Sequence, residues 1–329
     1  MQPFPVVCST LSATHLAVYL QQQYYLGAGT TCRLIRAAIN HVYLVTDGAQ
    51  HYVFRLYSLN WRTETEIAEE LKLLDLLKEN GIPVSFALPD PEGNYIQHIP
   101  APEGMRMGVL FSYAKGEKTL NFSETLHYKL GVIMARMHKI TEGLSLQRVH
   151  YTHRVLLMDS FEWLKQYLSA NTEEMQWMQR VQPYLLQQYL NAPSHLLRKG
   201  VVHLDIWFDN MNIHNNEEVT IFDFDFCGNG WLLHDLAYYI MQIYNTEKEP
   251  GMYELKLDHF LKGYESVTPI PEAERQLIPV ASISLYFFYL GVQCQRFENW
   301  TNSHLNETWL KRYINLVIKK LYSFHQLPE

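Results

Sequence analysis

The sequence predicts an α+β fold in which a small, β-rich lobe is followed by a larger, mainly helical lobe. Strand-like runs are concentrated before residue 113, and helical patterns fill most of the chain after Gly116. The length of 329 residues suits two lobes better than one small core. We place the boundary between residues 113 and 114, so that the first lobe covers 1–113 and the second covers 114–329.

The first lobe is predicted to hold about five antiparallel strands and one helix, with a further helix over residues 14–25 before the sheet. Asp47-Gly48 is typical of a hairpin turn between the second and third strands. The lobe's own helix spans residues 61–80, where apolar side chains recur every three or four positions. The strand-like runs are 33–38, 41–46, 51–57, 95–99 and 107–113.

The second lobe is predicted to be helical, with one loop and hairpin of β character over residues 201–226. The expected helices are 123–139, 161–168, 173–190, 234–244, 253–264, 272–297 and 307–324. The most apolar run, 283–292, is far shorter than the ~20 residues needed to span a bilayer. We therefore expect a buried helix there and no membrane partner.

Composition argues against several classes of protein. A formal net charge of −7 disfavours a nucleic-acid-binding protein, which should present a basic face. The four cysteines are scattered without a Cys-x-x-Cys pair, which favours reduced thiols over disulfides or a zinc site. The first residues lack the basic and apolar segments of a signal peptide. We expect a soluble, cytoplasmic protein.

A His-x-Asp-x4-Asn motif lies between two apolar, strand-like runs. His203, Asp205 and Asn210 form it, and the next apolar run carries Asp223 and Asp225 in Asp-Phe-Asp. Phosphoryl transfer from a nucleotide needs a carboxylate that accepts the acceptor's hydroxyl proton, and an amide and a carboxylate that hold Mg²⁺. Protein kinases carry these groups in a similar order. An isolated His-x-Asp is usually structural, but the added Asn and Asp favour a phosphoryl-transfer site.

A phosphate site in the second lobe also needs a cation from the first. Arg55, in the third strand, is the candidate, and Glu70, on the following helix, is its candidate partner. Alone, these residues would more simply be a surface strand residue and a solvated helix residue. No glycine-rich loop joins the first two strands, so we expect phosphate contacts from backbone N–H groups around 38–41 and from the Asn40 side chain.

Several features, in this order, resemble the aminoglycoside phosphotransferase and choline kinase family, the kinase-like small-molecule phosphotransferases. They are Asn40-His-Val-Tyr, Tyr52-Val-Phe-Arg55, Glu70 before Ile82-Pro83-Val84, Leu130-Gly131 through His138, the Asp205/Asn210/Asp223 set, and His234-Asp235-Leu-Ala237. The resemblance runs from about residue 34 to 324. The chain is similar to the bacterial stress-response kinase branch in its length and in its late aromatic helix. At the catalytic loop it is similar to homoserine kinases.

The resemblance implies a bilobal, protein-kinase-like fold that binds ATP between the lobes. It implies that Asp205 is the catalytic base and that Asn210 and Asp223 are Mg²⁺ ligands. It places Arg55 on the α and β phosphates, paired with Glu70.

The resemblance also assigns an adenine site to the segment from Phe111 to Lys115, where the Ser112 carbonyl and the Ala114 N–H would face the base. Asp235 would brace the catalytic loop through backbone N–H groups, or simply cap the helix that follows it. The chain departs from the family at two positions, since Leu204 stands where Gly is usual and Trp207 where a second His or Asp is common.

The function that follows is ATP-dependent phosphorylation of a hydroxyl on a small molecule, such as an amino alcohol, a homoserine-like or an aminoglycoside-like acceptor. A Ser/Thr protein kinase of the stress-response type is the first alternative. A two-metal hydrolase and a non-catalytic nucleotide-binding protein are the others. The hydrolase would use His203, Asp205, His214, Asp223, Asp225, His234 and Asp235. Aromatic residues such as Tyr238, Tyr286 and Tyr289 could wall a quaternary ammonium, although such residues are more often ordinary core.

Overall fold

The computed structural model describes residues 4–328 and divides them into two compact units. The first unit runs to Lys115 and includes Thr220–Phe222. The second comprises Gly116–Val219 and the chain from Asp223 onward. The chain leaves the first unit for the first time after Lys115, which is two residues beyond the expected boundary between 113 and 114.

The first unit is built on a six-stranded antiparallel sheet in the described residues, with the strand order β1-β2-β3-β6-β4 and β5 also paired with β6. Its elements are α1 Ala13–Tyr24, β1 Thr31–Ala37, β2 His41–Asp47, β3 Gln50–Leu56, α2 Glu64–Glu79, β4 Ala87–Leu88, β5 Ile96–Ala101 and β6 Gly104–Ser112. The predicted count of five strands is therefore one short. Because β4 contains only two residues, it shows no alternating pattern that the sequence could reveal.

Helix α2 begins three residues later than the sequence suggested. Thr63 forms a capping box, since its hydroxyl accepts the Glu66 N–H while the Glu66 carboxylate accepts the Thr63 N–H. This exchange satisfies two N–H groups at the start of the helix, so the helix begins at Glu64. On the sheet, a Cβ at Gly108 would lie 2.3 Å from the Phe54 ring, so only glycine fits beneath that side chain.

The second unit is mainly helical. Its elements are α3 Glu124–Thr141, α4 Ser160–Leu164, α5 Glu173–Asn191, β7 Lys199–Val202, β8 Met211–His214, β10 Gly228–Trp231, α6 Leu233–Thr246, α7 Met252–Glu265, α8 Glu272–Gln295, α9 Glu307–Tyr313 and α10 Lys319–Phe324. Strand β9, Glu218–Ile221, begins in this unit, and its last two residues belong to the first unit. β7 pairs with β10 and β8 with β9. The mixed fold class, with a sheet-rich first part and a helical second part, is confirmed.

Two helices of the second unit differ from the predicted ones. The π-helical turn Ile314–Ile318 interrupts the helix predicted over 307–324, and it joins α9 to α10. The helix predicted over 161–168 is shorter, because α4 ends at Leu164, and the π-helical turn Arg154–Asp159 precedes it. A π turn adds one residue to a helical turn, and the apolar periodicity continues through it. β10 was not predicted either, because Gly-Asn-Gly-Trp lacks the β-branched residues that indicate a strand.

Helix α8 is the one helix in the described chain that is long and apolar enough to cross a bilayer. Of its apolar window, 83% is buried inside the protein. It therefore packs as a core helix, as expected from the sequence.

Candidate active site

The loop between β7 and β8 brings Asp205 and Asn210 into direct contact. The Asn210 side-chain amide Nδ2 donates to Asp205 Oδ2 at 2.7 Å and to the Asp205 carbonyl at 3.1 Å. Asn210 is buried, with 3% of its surface exposed, while Asp205 is half-buried. The amide nitrogen is thus committed to Asp205, and the Asn210 oxygen Oδ1 is the atom that remains to meet a cation.

A second donor fixes the other Asp205 oxygen. The Tyr238 hydroxyl, from α6, donates to Asp205 Oδ1. Burial, and then the charge of Asp205, raise the pKa of Tyr238 well above its ordinary value, so the hydroxyl stays protonated. Each Asp205 oxygen therefore accepts a hydrogen bond, and the two bonds orient the carboxylate.

Asp235 stabilises the same loop through hydrogen bonds to its backbone. Its Oδ2 accepts the His203 N–H at 3.0 Å, and its Oδ1 accepts the Leu204 N–H at 2.6 Å. Helix α6 is capped at Leu232 without a side-chain bond, so bracing and not capping is the role of this carboxylate. Burial acts to raise the pKa of Asp235, but the hydrogen bonds, above all the one from His138, outweigh it and hold that pKa below its ordinary value.

The brace extends to two helices of the same unit. His138 of α3 places Nε2 3.1 Å from Asp235 Oδ2 and Nδ1 2.6 Å from the Tyr264 hydroxyl of α7. Helices α3 and α7 approach closely at two glycines. A Cβ at Gly131 would lie 2.1 Å from the Phe260 carbonyl oxygen, and one at Gly263 would lie 2.0 Å from the Tyr128 carbonyl oxygen.

Leu204 adopts a backbone conformation that favours glycine. Its φ is 68°, in the left-handed region, and its side chain is fully buried. This conformation costs a residue with a Cβ about 1–2 kcal/mol. Asp235 holds its N–H, and the Tyr289 hydroxyl of α8 donates to its carbonyl at 2.8 Å. The surrounding contacts therefore impose a turn in which a leucine replaces the family's usual glycine.

The Asp-Phe-Asp segment packs on this loop. Asp223, with φ of 67°, begins the short 3-10 turn Phe224–Phe226, and the Phe224 ring lies 4.2 Å from the His203 ring. His203 is buried, and its Nδ1 accepts the Asp205 N–H at 3.1 Å. His203 thus stabilises the loop, as expected. Asp223 is half-buried, whereas Asp225 is buried, and its carbonyl accepts a bond from Arg148.

In the first unit, Arg55 and Glu70 form a buried ion pair. Arg55 Nη1 lies 2.7 Å from Glu70 Oε1, and the Tyr57 hydroxyl donates to Glu70 Oε2 at 3.3 Å. Arg55 is 7% exposed and Glu70 is fully buried, so neither is a surface residue. The neighbouring Glu69 pairs instead with Lys72. Among the glutamates of α2, Glu70 is the partner, as predicted.

The other predicted nucleotide contacts have local partners. Asn40 Oδ1 accepts the Ser58 N–H at 3.2 Å, and the Asn40 carbonyl accepts the Ala38 N–H at 3.1 Å. These groups close the turn between β1 and β2. The Ser112 carbonyl accepts the Ser85 hydroxyl at 2.6 Å, which leaves it a second lone pair, and Ala114 is buried. Their roles toward a nucleotide stay predictions.

A cavity of about 420 Å³ in the second unit is lined by Tyr238, whose hydroxyl bonds Asp205; Asp205 itself is not a lining residue. Aromatic side chains form much of its wall, among them Trp207, Tyr238, Tyr286, Tyr289 and Trp309. The sequence did not reveal that Tyr238 and Tyr289 bind the catalytic loop. A signal was present, because Asp235 and Tyr238 lie three residues apart and so share one face of α6.

The residues of the hydrolase alternative do not gather into a metal cluster. His234 is buried against the rings of Tyr189 and Trp231, at 6.1 and 5.8 Å, and burial lowers its pKa to about 4. Asp235 is committed to backbone N–H groups. Within residues 4–328, no group of three or more His, Cys, Asp or Glu side chains is arranged to hold a metal ion.

Comparison with known proteins gives a consistent result. The model of the phosphotransferase enzyme family matches residues 31–270. The amicoumacin kinase of Bacillus subtilis is 25% identical over 277 residues, covering 81% of this chain and 80% of that protein. The homoserine kinase of Agrobacterium fabrum is 25% identical over 264 residues, covering 79% and 78%. A solved amicoumacin kinase, in complex with AMP-PNP, Ca²⁺ and Ami, shares the fold with a TM-score of 0.77 and 22% identity, covering 95% of this chain and 96% of that one.

Proposed function

Because the chain belongs to the phosphotransferase enzyme family, we propose that it transfers the γ-phosphoryl group of ATP to a hydroxyl group of a small molecule. The observation that supports this proposal is the set of hydrogen bonds that orient the Asp205 carboxylate. Both of its oxygens accept hydrogen bonds, from Asn210 and Tyr238, and Tyr238 also lines the cavity. An oriented carboxylate beside a cavity can accept the proton of a bound hydroxyl group.

In the proposed reaction, the acceptor oxygen forms a bond to the γ phosphorus while the bond from that phosphorus to the β–γ bridging oxygen breaks. Asp205 orients the acceptor hydroxyl and takes its proton, and ADP is the leaving group. Little covalent chemistry is required of the protein. Positioning of Asp205 by Asn210 and Tyr238 is therefore the main contribution of this loop.

Asn210 and Asp223 fit a magnesium site by the chemistry of their donors. Asn210 uses its amide nitrogen on Asp205 and keeps its oxygen, and Asp223 supplies a carboxylate that is half-buried. Mg²⁺ takes oxygen ligands, usually from one or two protein side chains together with phosphates. When bound, the ion would neutralise charge on the phosphate oxygens.

Arg55 is proposed to hold the nucleotide phosphates. Glu70 and Tyr57 fix the guanidinium in one orientation through bonds at 2.7 and 3.3 Å. A guanidinium remains charged at any working pH and can bind a phosphate through two N–H groups. Asn40, Ser112 and Ala114 complete the set of residues proposed to contact ATP.

A small-molecule acceptor is favoured over a protein. A volume of about 420 Å³ lies in the range of pockets that enclose small ligands. The amicoumacin and homoserine kinases, which are similar over most of this chain, are also named for small molecules.

The test is release of ADP from Mg-ATP with a panel of hydroxylated metabolites and antibiotics plus a generic protein substrate. We expect at least one small molecule to stimulate ADP release, and Asp205→Ala to abolish the stimulation. Stimulation by the protein alone would support the protein-kinase alternative. ATP binding without acceptor-dependent release across the whole panel would identify a non-catalytic protein.

A further inference from the structure

We propose that the acceptor of this chain is a ring-containing hydroxy compound that carries a single anionic group such as a carboxylate, and is not a polycation. This inference rests on the proposed function and specifies the substrate class of the same site. It follows from three properties of the cavity beside Asp205, which are its charge, its walls and its volume.

The charge of the cavity wall is positive. Lys248 and Lys320 line it, and among its described lining residues there is no aspartate or glutamate. Asp205 does not line the cavity, and it is connected to the wall through the hydroxyl of Tyr238. A polycationic acceptor such as an aminoglycoside would meet two like charges at the wall and no carboxylate to pair with.

Two acids flank Lys248 along the chain, Glu247 and Glu249; neither lines the cavity, and Glu247 is also neutralised within the protein. Glu247 precedes Lys248, but its carboxylate forms an ion pair with Lys256 at 2.5 Å. The hydrogen bond from Lys256 lowers the pKa of Glu247 to about 2, so the pair stays charged and internally compensated. Glu247 therefore does not cancel the charge of Lys248.

Both lysines are attached to other residues of the cavity wall. Lys248 Nζ donates to the Asn245 carbonyl, and Lys320 Nζ lies 5.5 Å from the centre of the Tyr244 ring. The face of the Tyr244 ring is thus already occupied by a cation of the protein, so it does not call for a cation on the ligand. An ammonium has three donors, so each lysine can also bind an oxygen of a ligand anion.

The walls favour a flat, unsaturated body for the acceptor. Trp309 stacks on Tyr313 at 5.0 Å, and Tyr313 meets the edge of Tyr286 at 6.0 Å. These contacts hold the rings in place before a ligand binds, and aromatic walls pack best against planar apolar groups. Trp207 joins them at the position where relatives in the family often carry His or Asp, and its indole nitrogen is buried without a partner in the described chain.

The volume excludes the smallest acceptors as a good fit. Pockets of about 300–1,000 Å³ enclose ligands of drug size, and this cavity has about 420 Å³. A three- or four-carbon amino alcohol would leave most of the aromatic wall uncovered. The acceptor that the cavity fits has its hydroxyl group at Asp205, its ring among the aromatic residues and its anion at the lysines.

Three matched probes test the inference, namely para-(hydroxymethyl)phenylacetic acid, its methyl ester and para-(hydroxymethyl)phenethylamine. They share the ring and the hydroxyl group and differ in charge. ADP release and calorimetric titration are measured for each. We expect the acid to have a kcat/KM about tenfold above the ester, since hydrogen bonds to charged groups are worth about 1.5–3 kcal/mol, and the amine to be lowest. Added salt should shrink the advantage of the acid.

Two lysine substitutions on the same helix separate recognition from general effects of charge. Lys320→Gln should remove much of the advantage of the acid, by about three- to tenfold. Lys319→Gln is the control, because Lys319 Nζ lies 5.6 Å from the Trp177 ring and outside the cavity wall, and should leave the preference unchanged.

The outcomes distinguish this inference from the proposed function. Asp205-dependent turnover of the ester or the amine at least as fast as of the acid overturns the inference and keeps the proposed function. If none of the probes is phosphorylated, titration decides: selective binding of the acid that is lost in Lys320→Gln supports the inference, and equal or absent binding of the three overturns it.

Discussion

The backbone N–H of Leu204 donates to Asp235 Oδ1 at 2.6 Å, and the φ angle of Leu204 is 68°. The hydrogen bond and the unfavourable dihedral angle belong to the same peptide, so the carboxylate holds the chain in a turn that leucine disfavours. Asp205 is the next residue, and its orientation depends on this turn.

Replacing Leu204 by glycine and by alanine should separate the backbone effect from the packing effect. Both changes remove a buried side chain and should destabilise the protein. At an ordinary position glycine is less stable than alanine by about 0.5–1 kcal/mol. Here we expect Leu204→Gly to be the more stable of the two by about 1 kcal/mol. The free energy of unfolding in urea measures this difference, and a more stable alanine variant would contradict the strain.

Asp235→Ala should lower the free energy of unfolding by about 3–5 kcal/mol, because two buried N–H groups and His138 lose their acceptor. The effect also depends on pH. The folded-state pKa of Asp235 lies below its ordinary value of 3.8, so the folded protein binds fewer protons here than the unfolded chain. The stabilisation is therefore complete above about pH 3.8 and is lost as the pH falls below it. Urea titrations at several pH values should show that Asp235→Asn has a smaller loss of stability in this acidic range than the wild type.

Asp205→Asn should lower kcat by at least about 10²–10⁴-fold while the affinity for Mg-ATP is largely retained, because the amide cannot accept the hydroxyl proton. Asp209→Asn is the matched control in the same loop. Its salt bridge to Lys118, at 2.6 Å, is partly exposed and contributes little to the site. Rates of ADP release and titrations with an ATP analogue measure both quantities. Near-normal turnover by Asp205→Asn would disprove the assignment of Asp205.

Tyr238→Phe should lower kcat by about 10- to 100-fold with little change in the KM for ATP, because Asp205 loses the donor that orients Oδ1. Tyr239→Phe is the control, since its hydroxyl bonds to His127 at 2.9 Å. Rates of ADP release measure both variants. An unchanged kcat in Tyr238→Phe would mean that the hydroxyl does not position Asp205.

Glu70→Gln should destabilise the protein by about 3–5 kcal/mol and raise the Kd for ATP, because it leaves the buried Arg55 without its counter-charge. Glu69→Gln, one residue away, should cost less, since its partner Lys72 is 70% exposed and water can solvate that ammonium once the pair is lost. Urea unfolding and titration with an ATP analogue provide the two measurements. Equal losses in both variants would argue against a special role for the buried pair.

The sequence placed residues correctly where short spacing along the chain limits their positions. Asn210 lies five residues after Asp205, so both were predicted on one short loop, and there their side chains meet at 2.7 Å. Glu70 was predicted to be the partner of Arg55, and it is the glutamate of α2 that pairs with it.

Contacts that depend on tertiary packing were harder to predict. The phosphate contact of Asn40 stays a prediction, but the sequence did not reveal that its side-chain oxygen accepts the Ser58 N–H, because the path of the chain after β3 brings that donor to it. In the sequence, Tyr238 and Tyr289 look like ordinary core aromatic residues. Only the folded structure shows that their hydroxyl groups bond Asp205 and the Leu204 carbonyl. Two short strands, β4 and β10, carry too few residues for a pattern.

The π-helical turn at Ile314–Ile318 holds one residue more than an ordinary helical turn needs. Leu316 and Val317 of this turn, and Lys320 just after it, line the cavity. Deleting one residue within the turn would restore an α-helical turn, and the helix on either side could keep its register. A single lost codon would therefore reshape one wall of the proposed acceptor site while leaving Asp205 and Asn210, which lie on a separate loop, unchanged.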